Sequence, residues 1–156
     1  MIFFVHYDGI DFPLEDDFFD LVVSRYALHH FPDIEHSLGQ VARVLKSGGK
    51  FFVSDPCPND CDSNRFVDDY MRLKDDGHIK FYTKTEWQDI CARHGLKFLD
   101  SFDSAVRFPK QKDTAPSWQE VLAKHDKAVI ASYDFFEAET ELFLTEQVNN
   151  ILFMKN

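Results

Sequence analysis

Two adjacent histidines, His29 and His30, sit ten residues into the stretch "FDLVVSRYALHHFPD" (Phe19–Asp33). The stretch begins with strand-like apolar residues and then turns polar at Ser24, Arg25 and Tyr26. An imidazole titrates near neutral pH and can accept, donate or ligate. A metal reading of the pair is weak, because neighbouring histidines point apart and no third ligand is spaced nearby. A loop that left the core is one alternative; a strand end facing a ligand is the other. Further along, Arg72 and His78 flank "LKDDG", where Arg72 with Asp75 and Asp76 also reads as a surface ion pair and His78 as a loop residue. Cys57 and Cys61 are four apart in "CPNDC", which is not a C-x-x-C, and no second pair accompanies them. They read as turn thiols rather than metal or redox ligands.

The elements that must position these groups follow from periodicity. "FDLVVS" is an apolar run suited to a strand buried on both faces. "IEHSLGQVARVLKSGG" places Leu38, Val41, Ala42 and Leu45 at helical spacing, with Gly48–Gly49 as the stop. "KFFVSDP" (Lys50–Pro56) is a second buried strand. Strand, helix and strand with short turns make a βαβ unit, whose strands are parallel and whose crossover is right-handed. A helix is expected over about Arg65–Leu73. A second, opened by Thr83 with Glu86 three residues on, carries Trp87, Ile90 and Cys91 inward and ends at Gly95. "LKFLDSFDSAVRF" predicts a strand with Leu96, Phe98, Phe102 and Val106 on its inner face. Ser117–His125 and Ala128–Phe136 read as helical, and "TELFLTE" and "NNILFMKN" as two closing antiparallel strands. Trp87 and Trp118 are assigned to the core.

Composition bounds the function. The 156 residues fit one domain. Hydrophobic content of 44% and seventeen phenylalanines promise a packed core or apolar surface needing a partner. A net charge of −10 argues against nucleic acid as ligand. No apolar stretch reaches membrane-spanning length, and "MIFFV" lacks the basic flank of a secretory signal. Three cysteines suit a reducing compartment, so a cytoplasmic setting is expected.

From "YDGIDFPLEDDFFDLVVSRYALHHFPDIEHSLGQVARVLKSGGKFFVSDP" the chain resembles the second half of a class I S-adenosylmethionine-dependent methyltransferase. It is most similar to the ubiquinone/menaquinone biosynthesis methyltransferases and their small-molecule relatives (methyltransferase type 11). "RFVDDYMRLKDDGHIKFYTKTEWQDICARHGL" resembles the insertion and following helix of one subgroup. The resemblance implies a Rossmann-like α/β sheet and one domain, with residues 60–95 as helical lid and following helix. It implies S-adenosylmethionine as cofactor and methyl transfer to a small-molecule acceptor. Carried over by position, Asp8 would accept from the adenine amino group beside Gly9, and Arg25 would meet the cofactor through its backbone. His30, Arg72 and His78 would lie on the acceptor side; no catalytic residue is assigned.

The family's glycine-rich loop and the acidic residue after its second strand have no counterpart here, so a domain lacking its N-terminal strands is expected. Two further expectations follow: weak or absent cofactor binding by the isolated chain, and a homo-oligomer or partner chain covering an open apolar edge. A non-catalytic remnant that pairs through that edge is the alternative function.

Overall fold

The computed structural model describes residues 2–74, 76–112 and 118–156. Residues 2–18 run without helix or strand over the first helix, held where Arg43 donates to the Leu14 and Phe12 carbonyls, both at 2.8 Å. Strand β1 (Phe19–Arg25) follows, then a single 3-10 turn (Leu28–His30) and helix α1 (Ile34–Val44). Asp33 caps α1, its carboxylate accepting from the His36 amide at 2.9 Å. Strand β2 (Leu45–Cys57) lies parallel to β1, with Val22 opposite Phe51 and Arg25 opposite Ser54. The expected βαβ unit is therefore present.

α1 ends earlier than the glycine pair suggests. Leu45 is already extended, and Lys46–Gly49 belong to β2 as an irregular insert between the Phe19–Leu45 and Leu21–Lys50 pairs. A side chain at Gly49 would come within 2.8 Å of the Lys46 carbonyl and 3.1 Å of that of Phe19, so this approach of the two strands requires glycine.

Next come α2 (Phe66–Met71) and α3 (Lys84–Arg93), the latter opened by the Thr83–Glu86 capping box. Strand β3 (Leu96–Gln111), helices α4 (Trp118–Lys124) and α5 (Lys127–Ser132), the short β4 (Phe136–Glu137) and β5 (Glu141–Lys155) complete the chain. The sheet order is β1-β2-β5-β3, with β5 antiparallel to both neighbours and β4 paired to β5. The Ala128–Phe136 stretch is thus split. Helix α5 stops before Tyr133, and Phe136 joins the sheet opposite Phe143. Ser117, expected to open α4, lies outside the described residues.

Two expected closing strands are one. "QVNN" looks like a turn, but its ladder continues because the buried amides are satisfied inside the sheet. Asn150 accepts from Ser54 Oγ at 2.8 Å and donates to Ser104 Oγ at 2.9 Å. The inner-face assignment of β3 also needs correcting. Leu96 is buried, but Phe98 and Phe102 are exposed, Phe102 at 61%. A bulge between Phe98 and Asp100 inserts one residue, and a one-residue slip sends the following side chains to the other face.

β1 is likewise not buried on both faces. Phe19 and Val22 pack on the core, whereas Leu21 and Val23, which alternate with Val22 to the other face of the sheet, are 53% and 57% exposed. The long β5 serves two cores. Ile151 and Phe153 join α1, β2 and α3 around Trp87. Leu142 and Leu144 join α2, α4 and α5 around Tyr133, with Trp118 packed at the margin. No helix of the described residues is long and apolar enough to cross a membrane.

Candidate active site

β1 and β2 end side by side, and the polar residues that follow them meet at their carboxyl tips. Tyr26, the first residue beyond β1, has a left-handed backbone (φ 51°), and its amide donates to the Ser54 carbonyl at 2.9 Å. For a tyrosine this conformation is strained and marks a constrained turn. That turn delivers His29 to Asp55, two residues before the end of β2. Asp55 Oδ1 lies 2.7 Å from His29 Nδ1, and its Oδ2 accepts from the His29 amide at 3.2 Å. Both side chains are buried. With Nδ1–H donated to the carboxylate, Nε2 carries the lone pair and can take a proton.

The His29 and His30 rings do not point apart. Their centroids are 4.0 Å from each other, and His78 is 5.5 Å from His29 and 6.4 Å from His30. His78 Nε2 bonds Asp68 Oδ1 at 2.9 Å, and the same oxygen accepts from the Phe81 amide at 2.8 Å. Asp68 Oδ2 takes Arg65 Nε at 2.6 Å. Burial raises the Asp68 carboxyl, but the bonds from His78, Phe81 and Arg65 outweigh it and hold it below the usual range.

His29 and His30 line a cavity of 170 Å³ walled by Tyr26, Pro56, Phe81 and Phe108, with Tyr70 and Met71 of α2 over it. Lys110 and Glu146 also reach it. Burial lowers the Lys110 ammonium to about 8, helped by Lys74; burial raises the Glu146 carboxyl against the pull of Lys110 and His29.

A larger cleft of 820 Å³ opens around Cys57, Asn59 and Thr83. Four of its five charged groups, all but the exposed Asp60, are already bonded to other side chains or to backbone. Asp62 accepts from the Phe66 and Val67 amides and from Tyr133, while Lys84 pairs with Asp103 at 2.9 Å. The Cys57 thiol is pushed up to about 11 by burial, which removes it as a nucleophile. The smaller cavity is therefore the candidate site.

Of the residues singled out in the sequence, His30 and His78 fall within this cluster. Arg72 is at its margin, donating to Asp69 at 3.0 Å and to the Ile79 carbonyl at 2.7 Å, while Asp76 pairs with Lys74. Asp75 is outside the described residues. Arg25 is exposed, its guanidinium 4.7 Å over the Tyr26 ring. Asp8 and Gly9 form an exposed turn, Asp8 Oδ1 accepting from Ile10 and Asp11 at 2.9 and 3.2 Å. They do not line the cavity. The sequence reading missed the His29–Asp55 dyad, Tyr70, Lys110 and Glu146. For Asp55 a signal existed, since it lies near the carboxyl end of the second strand of a parallel pair, where α/β sheets present their ligand groups.

A model of the methyltransferase domain matches residues 3–101, and the chain belongs to that family. It is 38% identical over 89 residues to the uncharacterized methyltransferase YcgJ of Bacillus subtilis, covering 56% of this chain and 35% of that protein. The crystal structure of YcgJ overlays with a TM-score of 0.75 at 24% identity, over 95% of this chain and 68% of the other. A methyltransferase-like protein of Bacillus halodurans overlays at 0.80 with 18% identity, over 96% and 69%. A geranyl diphosphate methyltransferase in complex with S-adenosylmethionine overlays at 0.61 with 15% identity, over 96% and 56%. These overlays show a Rossmann-like methyltransferase sheet. The chain spans between 28% and 44% of the length of the first curated relatives it matches.

Proposed function

We propose that this chain supplies the acceptor-binding side of S-adenosylmethionine-dependent methyl transfer to a small molecule. The observation that carries the reading is the His29–Asp55 dyad facing a cavity at the carboxyl tips of two parallel strands. When bound, S-adenosylmethionine supplies a methyl group already activated on a sulfonium, so the protein's task is mainly to orient the acceptor. His29 Nε2 takes the acceptor's proton where one must leave, with Asp55 holding the ring. His30 walls the acceptor with His78 5.5 Å from the His29 ring, and residues 60–95 supply the lid and the following helix, with Arg72 tying Asp69 to the Ile79 carbonyl.

Asp8, Gly9 and Arg25 stand as the cofactor contacts. The fit is partial: both bonds made to the Asp8 carboxylate fall on Oδ1, leaving Oδ2 for an adenine amino group. The sequence holds no glycine-rich strand–turn–helix, so one wall of contacts gives weak binding. Reduced cysteines suit a cytoplasmic setting. The exposed Leu21–Val23 edge supports self-association.

Isothermal titration with S-adenosylmethionine tests the cofactor assignment. Weak heat, saturating above the micromolar range and lost in Asp8→Ala, is expected. No heat at millimolar cofactor would point to a non-catalytic binding role, and a sub-micromolar constant would contradict the one-wall picture.

A further inference from the structure

The cavity at the strand tips contains charges that the packing does not neutralise. Lys110, near the end of β3, is 7% exposed, and Glu146 of β5 is 6% exposed. Lysine and glutamate this deep are ordinarily paired. Yet the Lys110 ammonium donates only to the Tyr70 carbonyl, at 2.9 Å, with the Met71 sulfur at 3.9 Å and the Tyr70 ring 4.3 Å below. Among the described residues no carboxylate lies within ion-pair distance of it. The Glu146 carboxylate, in turn, receives no hydrogen bond from a described residue.

Two neutral atoms are in the same condition. His30 Nδ1 and Tyr70 Oη are buried without a partner, and both residues line the cavity. Buried polar groups are normally satisfied, and exceptions call for a reason. Two such atoms, beside an ammonium and a carboxylate that form no ion pair with a described residue, point to a ligand that completes the set.

Size and chemistry narrow that ligand. An engineered protein cavity of about 150 Å³ lodges one benzene ring, and this one measures 170 Å³. Tyr26, Phe81 and Phe108 supply aromatic walls. The unsatisfied groups are mostly donors: an ammonium can only donate, and a phenol hydroxyl donates readily. Burial also raises the Glu146 carboxyl, the direction that makes its anion a poorer counter-charge for a bound cation. Resting on the methyl-transfer reading, we infer that the acceptor is a single-ring phenol or enol whose oxygen is bound by Lys110 as the oxyanion, with Tyr70 beside it. An amine acceptor would need Glu146 ionised and Lys110 out of the way.

4-Nitrophenol tests this directly, because its phenol and phenolate absorb at different wavelengths. The chain is titrated with it, with nitrobenzene and with benzylamine. Binding is expected to shift the nitrophenol spectrum toward phenolate below its solution pKa, with nitrobenzene and benzylamine binding more weakly. Lys110→Met removes the shift and weakens binding about tenfold or more, the loss of a charge-assisted hydrogen bond. Should Lys110→Met fail to fold, Tyr70→Phe serves, since its hydroxyl holds nothing in the fold; about fivefold weaker phenolate binding is expected. Glu146→Gln leaves the shift in place.

Tighter binding of benzylamine, nitrophenol bound without a shift, or no binding by the folded chain would overturn the inference. S-adenosylmethionine is titrated separately. Failure of that titration with phenolate binding intact counts against methyl transfer and leaves this recognition standing.

Discussion

Asp55 accepts two hydrogen bonds from one residue, the ring and the amide of His29, so it sets both the tautomer and the orientation of that imidazole. A buried Nδ1–H held by a carboxylate gives a slowly exchanging, downfield proton resonance in NMR spectra. Asp55→Asn is expected to abolish that resonance; its persistence would show that another acceptor holds the ring. The pairing could not be read from spacing, because the partners are 26 residues apart and meet only when β1 and β2 align. Lys110 was equally opaque: following Pro109 among polar residues, it reads as a strand end. Its burial comes from α2, which the strand's own pattern does not reveal. Its lowered value has a stability consequence. Between about 8 and its ordinary 10.5, the unfolded chain keeps a proton that the folded chain has lost. Stability therefore rises with pH across that window through this group, with Lys74, Asp76 and Glu146 nearby. Urea titrations at each end, for the native chain and Lys110→Met, should show stability rising more with pH in the former, since the raised thiols act alike in both.

At the scale of elements, α2 and the strand tips are joined by Asp68. This carboxylate binds Arg65 and His78 and the Phe81 amide, so it fixes the start of α2, the loop after it and the cavity wall together. Asp68→Asn leaves the buried His78 and the Arg65 guanidinium without their partner, and a loss of about 3 to 5 kcal/mol is expected from urea unfolding. The depressed carboxyl adds stability that is complete above the ordinary aspartate range. That contribution is lost as pH falls through the folded value. Asp68→Asn should accordingly flatten the acid limb. Thr83→Ala is milder, about 1 kcal/mol, because it removes a single cap. The contrast explains what was legible. The Thr83–Glu86 box is a local device with a fixed spacing, whereas the Asp68 network joins α2 to a residue 13 positions further along, beyond the loop. The βαβ unit showed through its apolar runs. The unity of β5 did not, because Asn149 and Asn150 look like turn residues until Ser54 and Ser104 are placed beside Asn150.

For the whole molecule, the two cores divide the work. One, around Trp87, holds β1, β2, α1 and α3; the other, around Tyr133, holds the helices above the cavity. The outer strand β1 leaves Leu21 and Val23 toward solvent, a pattern that invites pairing with another chain. If self-association uses this edge, Leu21→Lys with Val23→Lys should shift sedimentation toward the monomer. Thermal stability should change little, since both side chains are exposed. An unchanged oligomer would place the contact elsewhere.

The central claim is that the tips of β1 and β2 form a methyl-transfer site, with the cofactor reaching Asp8, Gly9 and Arg25 and the acceptor lodging by His29. Amide chemical-shift mapping of the chain with S-adenosylmethionine tests it most directly. Perturbations concentrated at residues 8–9 and 24–30, growing with cofactor up to the millimolar range, are the expected result. Shifts confined to other surfaces, or none at millimolar cofactor, would contradict it.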